Sequence, residues 1–173
     1  MHAYRLSDGR QVWIRPIEAG DAWRLQEGLR RLSADTIHRR FLAAKPRFTA
    51  RELRYLTEVD GVDHIALVAV TVETGRLVAV ARAVRLPEDP ECAEWAVVVG
   101  DPFQGKGLGT HLVRSLVDAA VEQGIHRFTA TVAGENRAVM RLLAHVADHF
   151  EAGAYSRGTR EVVIDTLPAF PGS

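Results

Sequence analysis

Between residues 93 and 121 a β-branched apolar run passes through a glycine-rich stretch and directly into a helical pattern, and few folds accommodate that succession. The run carries Trp95, Ala96, Val97, Val98 and Val99 and reads as a central strand. Leu108, Leu112, Leu116, Val117 and Ala120 then mark one face of a long helix that ends near Gly124. Between them Gly105, Gly107 and Gly109 alternate with other residues, so the connection is a tight turn that uses backbone conformations closed to other side chains. A strand, a glycine turn and a helix packed back on the strand is the unit around which the rest must be arranged.

The first third reads as one strand followed by helices. Residues 11–16 alternate apolar and polar side chains up to Pro16. Asp21 is the expected N-cap of a helix carrying Ala22, Leu25, Leu29 and Leu32, and Ser33 opens a second helix to about Ala44. Thr49 with Glu52 three residues on is a capping-box pair for a third, over about 49–58. Two apolar runs, 65–70 and 77–81, flank a loop containing Gly75 and predict an antiparallel hairpin. Pro87 and Pro90 predict a break before the central strand. A strand at 128–132, a helix at about 136–148 and a final strand at 161–165 complete the order. The expected class is α/β (α+β): a single domain over 1–167, with a flexible tail at 168–173.

Composition narrows the function classes. At 173 residues the chain is the size of one domain, and 47% hydrophobic with 25% charged residues is the balance of a globular protein. Lysine plus arginine equals aspartate plus glutamate at 22 each, so no overall field favours nucleic acid or an anionic membrane. The single Cys92 excludes an internal disulfide, and no apolar run approaches the length of a membrane span. The expectation is a cytoplasmic protein, monomeric or homodimeric.

The glycine turn suits an anion. Its amides can close on phosphate oxygens, and the positive end of the helix dipole adds to the attraction. Three phosphate-binding patterns use this physics. The dinucleotide fingerprint fails at Thr110, counted from Gly105, and no plain parallel βαβ unit is visible before it. The nucleotide phosphate loop fits from Gly100 to Lys106, but Gly107 stands where a magnesium-binding hydroxyl is required. The third pattern, [QR]-x-x-G-x-[GA], fits fully as Gln104, Gly105, Lys106, Gly107, Leu108 and Gly109. A glycine turn that only joins strand to helix is the plainer alternative.

On that pattern the chain resembles the GNAT acyltransferases. The resemblance implies a mixed, mostly antiparallel sheet flanked by helices, with central strands splayed to take acetyl-CoA or another acyl-CoA as co-substrate and with no metal. It assigns the pyrophosphate to the turn from Gln104 to Thr110, the pantetheine arm to the backbone of Val97, Val98 and Val99, and a further cofactor contact to Asn136, which opens the last helix. Many members carry a general-acid tyrosine seven positions after that asparagine, where this chain has Leu143; Tyr155 is a weak substitute.

Acyl transfer to an amine needs the amine neutral, and at pH 7 a free lysine is so in only about one molecule in a few thousand. Glu94, in the apolar strand just before the acyl position, is the candidate general base, with burial expected to strengthen it; a glutamate facing solvent or paired with Arg82 is the plainer reading. Asp60, Asp63 and His64 could line the acceptor side, His64 as a rival base, though a loop aspartate pair beside a surface histidine is the simpler view. His145 and His149 have metal-ligand spacing without the glutamate that would accompany it. Cys92 reads as a buried strand thiol.

A narrower resemblance rests on residues 14–17, on Arg31, Leu32 and Ser33 through Arg39, Arg40 and Phe41, and on residues 56–60. It is to the acyltransferase domain of bacterial protein lysine acetyltransferases that modify AMP-forming acyl-CoA synthetases, which also carry a glutamate matching Glu94 and lack the tyrosine. That domain is often fused to a cyclic-nucleotide or synthetase-like module, and this chain is too short to contain either. The expected reaction is acetyl transfer from acetyl-CoA to a protein lysine. A small-amine acetyltransferase and a non-catalytic acyl-CoA-binding regulator are the alternatives.

Overall fold

The structure, a computed structural model, describes residues 2–133, 136–147 and 150–165. In chain order the elements are β1 (His2–Arg5), β2 (Gln11–Pro16), α1 (Ala22–Arg30), α2 (Ala34–Phe41), α3 (Ala50–Thr57), β3 (His64–Thr71), β4 (Leu77–Leu86), β5 (Asp89–Val99), α4 (Leu108–Val121), β6 (Arg127–Ala133), α5 (Arg137–Val146), β7 (Phe150–Ala152) and β8 (Thr159–Asp165). Among the described residues the strands form one sheet in the order β1-β2-β3-β4-β5-β6-β8-β7. Every neighbouring pair is antiparallel except β5 with β6.

Most of the expected caps and strand pairings are present in the structure. Ser33 caps α2, its hydroxyl accepting from the Thr36 amide, and Thr49 and Glu52 form a reciprocal capping box on α3. β3 and β4 pair as the predicted hairpin, Leu67 opposite Ala81. The differences have physical causes. Asp21 precedes α1 but makes no cap; its carboxylate, 1% exposed, takes Arg15 Nη1 and Nη2 at 2.7 Å each and Arg24 Nη1 at 3.2 Å. Helix α2 stops at Phe41 because Leu42 turns left-handed, φ 57°. The prolines do not hold β5 back to residue 93: Pro87 lies in the turn, and β5 starts at Asp89, with Pro90 absorbed where the register shifts between Arg85 and Leu86. The short outer strands β1 and β7 are additional to the expected set. β5, α4 and β6 do form a parallel βαβ unit, so of the two grounds against a dinucleotide fingerprint only Thr110 stands. The 168–173 tail lies outside the described residues.

The sheet carries a core on each face. On one, α4 brings Leu108, Leu112 and Leu116 against Ala79, Ala81, Ala83 and Ala93, small side chains that let the helix settle close to the strands; Leu143 of α5 joins them, wholly buried. On the other, Leu25 of α1 packs with Ala66, Val68, Val70 and Val80, alongside Leu53 and Leu56 of α3. β3 is therefore apolar on both sides, which explains its unbroken run. Among the described residues no helix is long and apolar enough to cross a membrane.

Candidate functional site

The parallel pair β5–β6 sets the geometry. It matches only Cys92 with Arg127, Ala93 with Phe128 and Glu94 with Thr129. Beyond Glu94 the strands part, β5 running on to Val99 held only by β4 and β6 to Ala133 held only by β8. Val97, Val98 and Val99 thus face the gap with one backbone edge free of any strand. Because the two strands are parallel, their C-terminal ends lie at the same, open end of the wedge. That end carries the glycine turn after β5 and Asn136 after β6, while Glu94 marks the closed end.

The turn brings left-handed glycines to the start of α4. Gly105 has φ +68° and Gly107 φ +83°, conformations that cost other residues strain, and Gly107 occupies the N-cap of α4 without a side-chain cap. Leu108, Gly109 and Thr110 follow as the first helical residues; the buried Leu108 anchors the turn to the core. A carbon side chain at Gly107 would stand 3.0 Å from the Tyr4 hydroxyl. Lys106 lies at the same place, Nζ 3.4 Å from Asp8. An anion at such a helix start gains about 0.3–1 kcal/mol from the dipole, more where partly buried.

Two predicted cofactor contacts are engaged in bracing. Gln104 Nε2 donates to the Val99 carbonyl at 2.9 Å and the Thr36 hydroxyl at 3.2 Å, closing the turn on itself and on α2. Asn136 Oδ1 accepts from the Val139 amide at 3.2 Å and caps α5. Asp101, not singled out from the sequence, completes the brace: it accepts from the Ser33 amide at 3.0 Å, the Ser33 hydroxyl at 2.7 Å and the Thr36 hydroxyl at 2.8 Å. Burial pushes its carboxyl up, but these bonds outweigh that and hold it below the ordinary range. Its signal was a helix cap, Ser33, whose partner lies 68 residues away.

Glu94 sits opposite Val84 on β4 and is exposed, so the burial expected of it is absent. It does not pair with Arg82 either. It shares the α2–α3 side of the sheet with Arg82 and Val98, since all stand at alternating, facing positions of β4 and β5. His64, expected at the surface, is 8% exposed on β3. Arg82 Nη1 lies 2.9 Å from His64 Nε2; arginine can only donate, so Nε2 accepts and the ring is neutral. Burial, then the charge of Arg82, push its pKa down to about 4 against the pull of Asp60. Asp60 is occupied by the amides of Val62, Asp63 and His64, and Asp63 pairs with Arg85.

The remaining candidates fall away from the wedge. Leu143 is core, and Tyr155 is 53% exposed under the Arg160 guanidinium. His145 Nδ1 donates to the Arg141 carbonyl at 2.6 Å, and His149 lies outside the described residues. No group of potential metal ligands occurs among the described residues. Cys92 is buried as expected, and burial pushes its thiol up, away from reactivity.

A mixed sheet whose one parallel pair splays above a glycine turn defines a class, and sequence comparison bears it out: the chain belongs to the acetyltransferase (GNAT) family, which it matches over residues 28–147. Among relatives, it is 36% identical over 167 residues to acetyltransferase Pat of Mycolicibacterium smegmatis, an alignment covering 94% of this chain and 50% of the relative. The chain thus spans half the length of that protein. The GNAT domain of S. lividans PAT superposes with a TM-score of 0.85 at 28% identity, over 95% of this chain and 96% of that one. A Sinorhizobium meliloti phosphinothricin acetyltransferase, solved in complex with acetyl-CoA, shares the fold with a TM-score of 0.72 at 18% identity, over 90% and 88% of the two chains.

Proposed function

We propose that the chain transfers an acetyl group from acetyl-CoA to a primary amine, a lysine of a protein, with Glu94 as the general base. The observation that carries this reading is the parting of β5 and β6 just beyond Glu94, with the glycine turn and Asn136 at the open end. In it the amides of the turn from Gly105 to Thr110, with Lys106, hold the pyrophosphate, and the free edge of Val97, Val98 and Val99 aligns the pantetheine arm toward Glu94. Acetyl-CoA supplies the acetyl group already activated as a thioester. The chain positions it, admits the amine from the α2–α3 side, and takes the amine's proton on the Glu94 carboxylate. Gln104 serves this reading by fixing the turn, and His64 is disfavoured as the base because Nε2, the acceptor nitrogen of its neutral ring, is already committed to Arg82.

A protein acceptor is favoured by the exposure of Glu94, which suits a side chain arriving from a larger surface better than a sealed pocket, and by the likeness to Pat. AMP-forming acyl-CoA synthetases are the acceptors we propose first. Thiol release from acetyl-CoA, followed with such a synthetase and with a panel of amino acids, polyamines and aminoglycosides, tests this. Release with the synthetase alone is expected; release with small amines alone would move the acceptor to that class, and none with any acceptor would leave an acyl-CoA-binding regulator.

A further inference from the structure

The α2–α3 side of the wedge holds two arginines that form no ion pair among the described residues. Arg82 is 7% exposed in the middle of β4, its guanidinium spent on His64 Nε2 and, at 3.4 Å, the Leu56 carbonyl. Arg40, half-buried near the end of α2, lies with its guanidinium 4.9 Å over the Phe41 ring. No carboxylate comes within ion-pair distance of either among the described residues, although the chain pairs Arg10, Arg15, Arg24, Arg30, Arg85 and Arg127 elsewhere. Burial, then the charge of Arg40, lower the pKa of Arg82 to about 10, while at Arg40 the charge of Glu94 opposes the effect of burial. Both stay cationic at neutral pH. Buried charge without an ion-pair partner is costly, and an anion that joined the buried Arg82 and the half-buried Arg40 would offset that cost.

We propose that Arg40 and Arg82 form an anion subsite that takes a carboxylate carried by the acceptor close to its reacting amine. This rests on the acetyl-transfer reading and deepens it. The placement fits, because Arg82 faces Ala96 and Glu94 faces Val84 on the same side of the sheet, so Arg82 stands diagonally across from the proposed base. The forked donors of a guanidinium match a carboxylate, and the neutral His64 ring holds the Arg82 fork in place. An ammonium beside a carboxylate would then meet Glu94 and the two arginines in complementary order. A free diamino acid and a lysine with an acidic neighbour in a polypeptide both present that pair.

Two readouts separate this from the transfer reading. The first is acetylation of matched acceptors: a lysine peptide with an adjacent glutamate against its glutamine twin, and free lysine against lysinamide. The carboxylate member of at least one pair should be favoured about tenfold or more in kcat/KM. That preference should collapse toward unity in Arg40→Gln and persist in part in Arg40→Lys, with acetyl-CoA affinity unchanged. The favoured pair names the source. Equal rates within both pairs, or a preference that survives Arg40→Gln, would overturn the subsite. The second readout needs no turnover: with CoA filling the glycine turn, sodium acetate titrated into the labelled protein should shift the Arg40 and Arg82 Nε–H resonances saturably, and those shifts should vanish in Arg40→Gln. If no acceptor reacts but the shifts occur, transfer fails and the subsite stands; unmoved resonances sink the subsite whatever the rates.

Discussion

The two sides of the β5–β6 wedge are made of different material. At the open end the contacts available to a donor are almost all backbone: the free edge of Val97 to Val99, the left-handed Gly105 and Gly107, and the first amides of α4. Toward Glu94 they are mostly side chains, from β3, β4, β5 and α2, with His64, Arg82, Arg40 and Glu94 drawn from positions up to 54 apart in sequence. A site of backbone tolerates many sequences provided its conformation is kept. One of side chains can change its ligand through a single substitution and leave the fold alone. The first suits a constant donor, the second a variable acceptor.

Removing the proposed base should have the largest effect. Glu94→Gln is expected to lower kcat by about 10²–10⁴-fold with the dissociation constant for acetyl-CoA unchanged, measured by steady-state thiol release and calorimetry. Next, Asp21→Ala leaves Arg15 and Arg24 beside an emptied buried site and should cost about 3 kcal/mol in denaturant unfolding, while a surviving folded fraction keeps its acetyl-CoA affinity. On the donor side, Gly107→Val forces a β-branched residue to φ +83° against Tyr4 and should weaken acetyl-CoA binding about tenfold. Gly109→Ala, whose added carbon would only touch Val99 and Leu142 at 3.5 and 3.7 Å, should weaken it far less. Equal effects at the two glycines would break the claim that conformation, not contact, defines that side.

The smallest effect concerns His64. Between pH 6.5 and about 4 the unfolded chain binds a proton here that the folded chain refuses, so this ring's contribution to stability is full above pH 6.5 and fades as the pH falls toward 4. His64→Gln should flatten that part of the stability profile and leave any activity limb above pH 6 in place. A limb between pH 6 and 8 that disappears with His64 would instead make it the base.

Sequence revealed these regions unequally for the same reason that they differ. Gln104, Gly105, Gly107 and Gly109 fall within six consecutive residues, so the glycine turn was legible without the fold. Glu94 could be named from its place in the strand, but its exposure depends on which face α2 and α3 cover. In its plainer reading His64 is a surface residue beside the loop aspartates Asp60 and Asp63, yet it shares parity with Ala66, Val68 and Val70, the buried face beneath α1. Arg82 was similarly marked, a lone charge between Ala81 and Ala83 in an apolar strand. The outer strands β1 and β7, four and three residues long, are too short to carry a periodic pattern. Gln104 was found as a motif position, but its bond to Thr36 requires knowing that α2 lies against the turn.

Isothermal titration of acetyl-CoA into the wild-type protein, Gly107→Val and Glu94→Gln tests the division of labour most directly. Wild type and Glu94→Gln should bind alike, and Gly107→Val about tenfold more weakly. Binding lost in Glu94→Gln and kept in Gly107→Val would contradict a backbone-built donor site at the glycine turn.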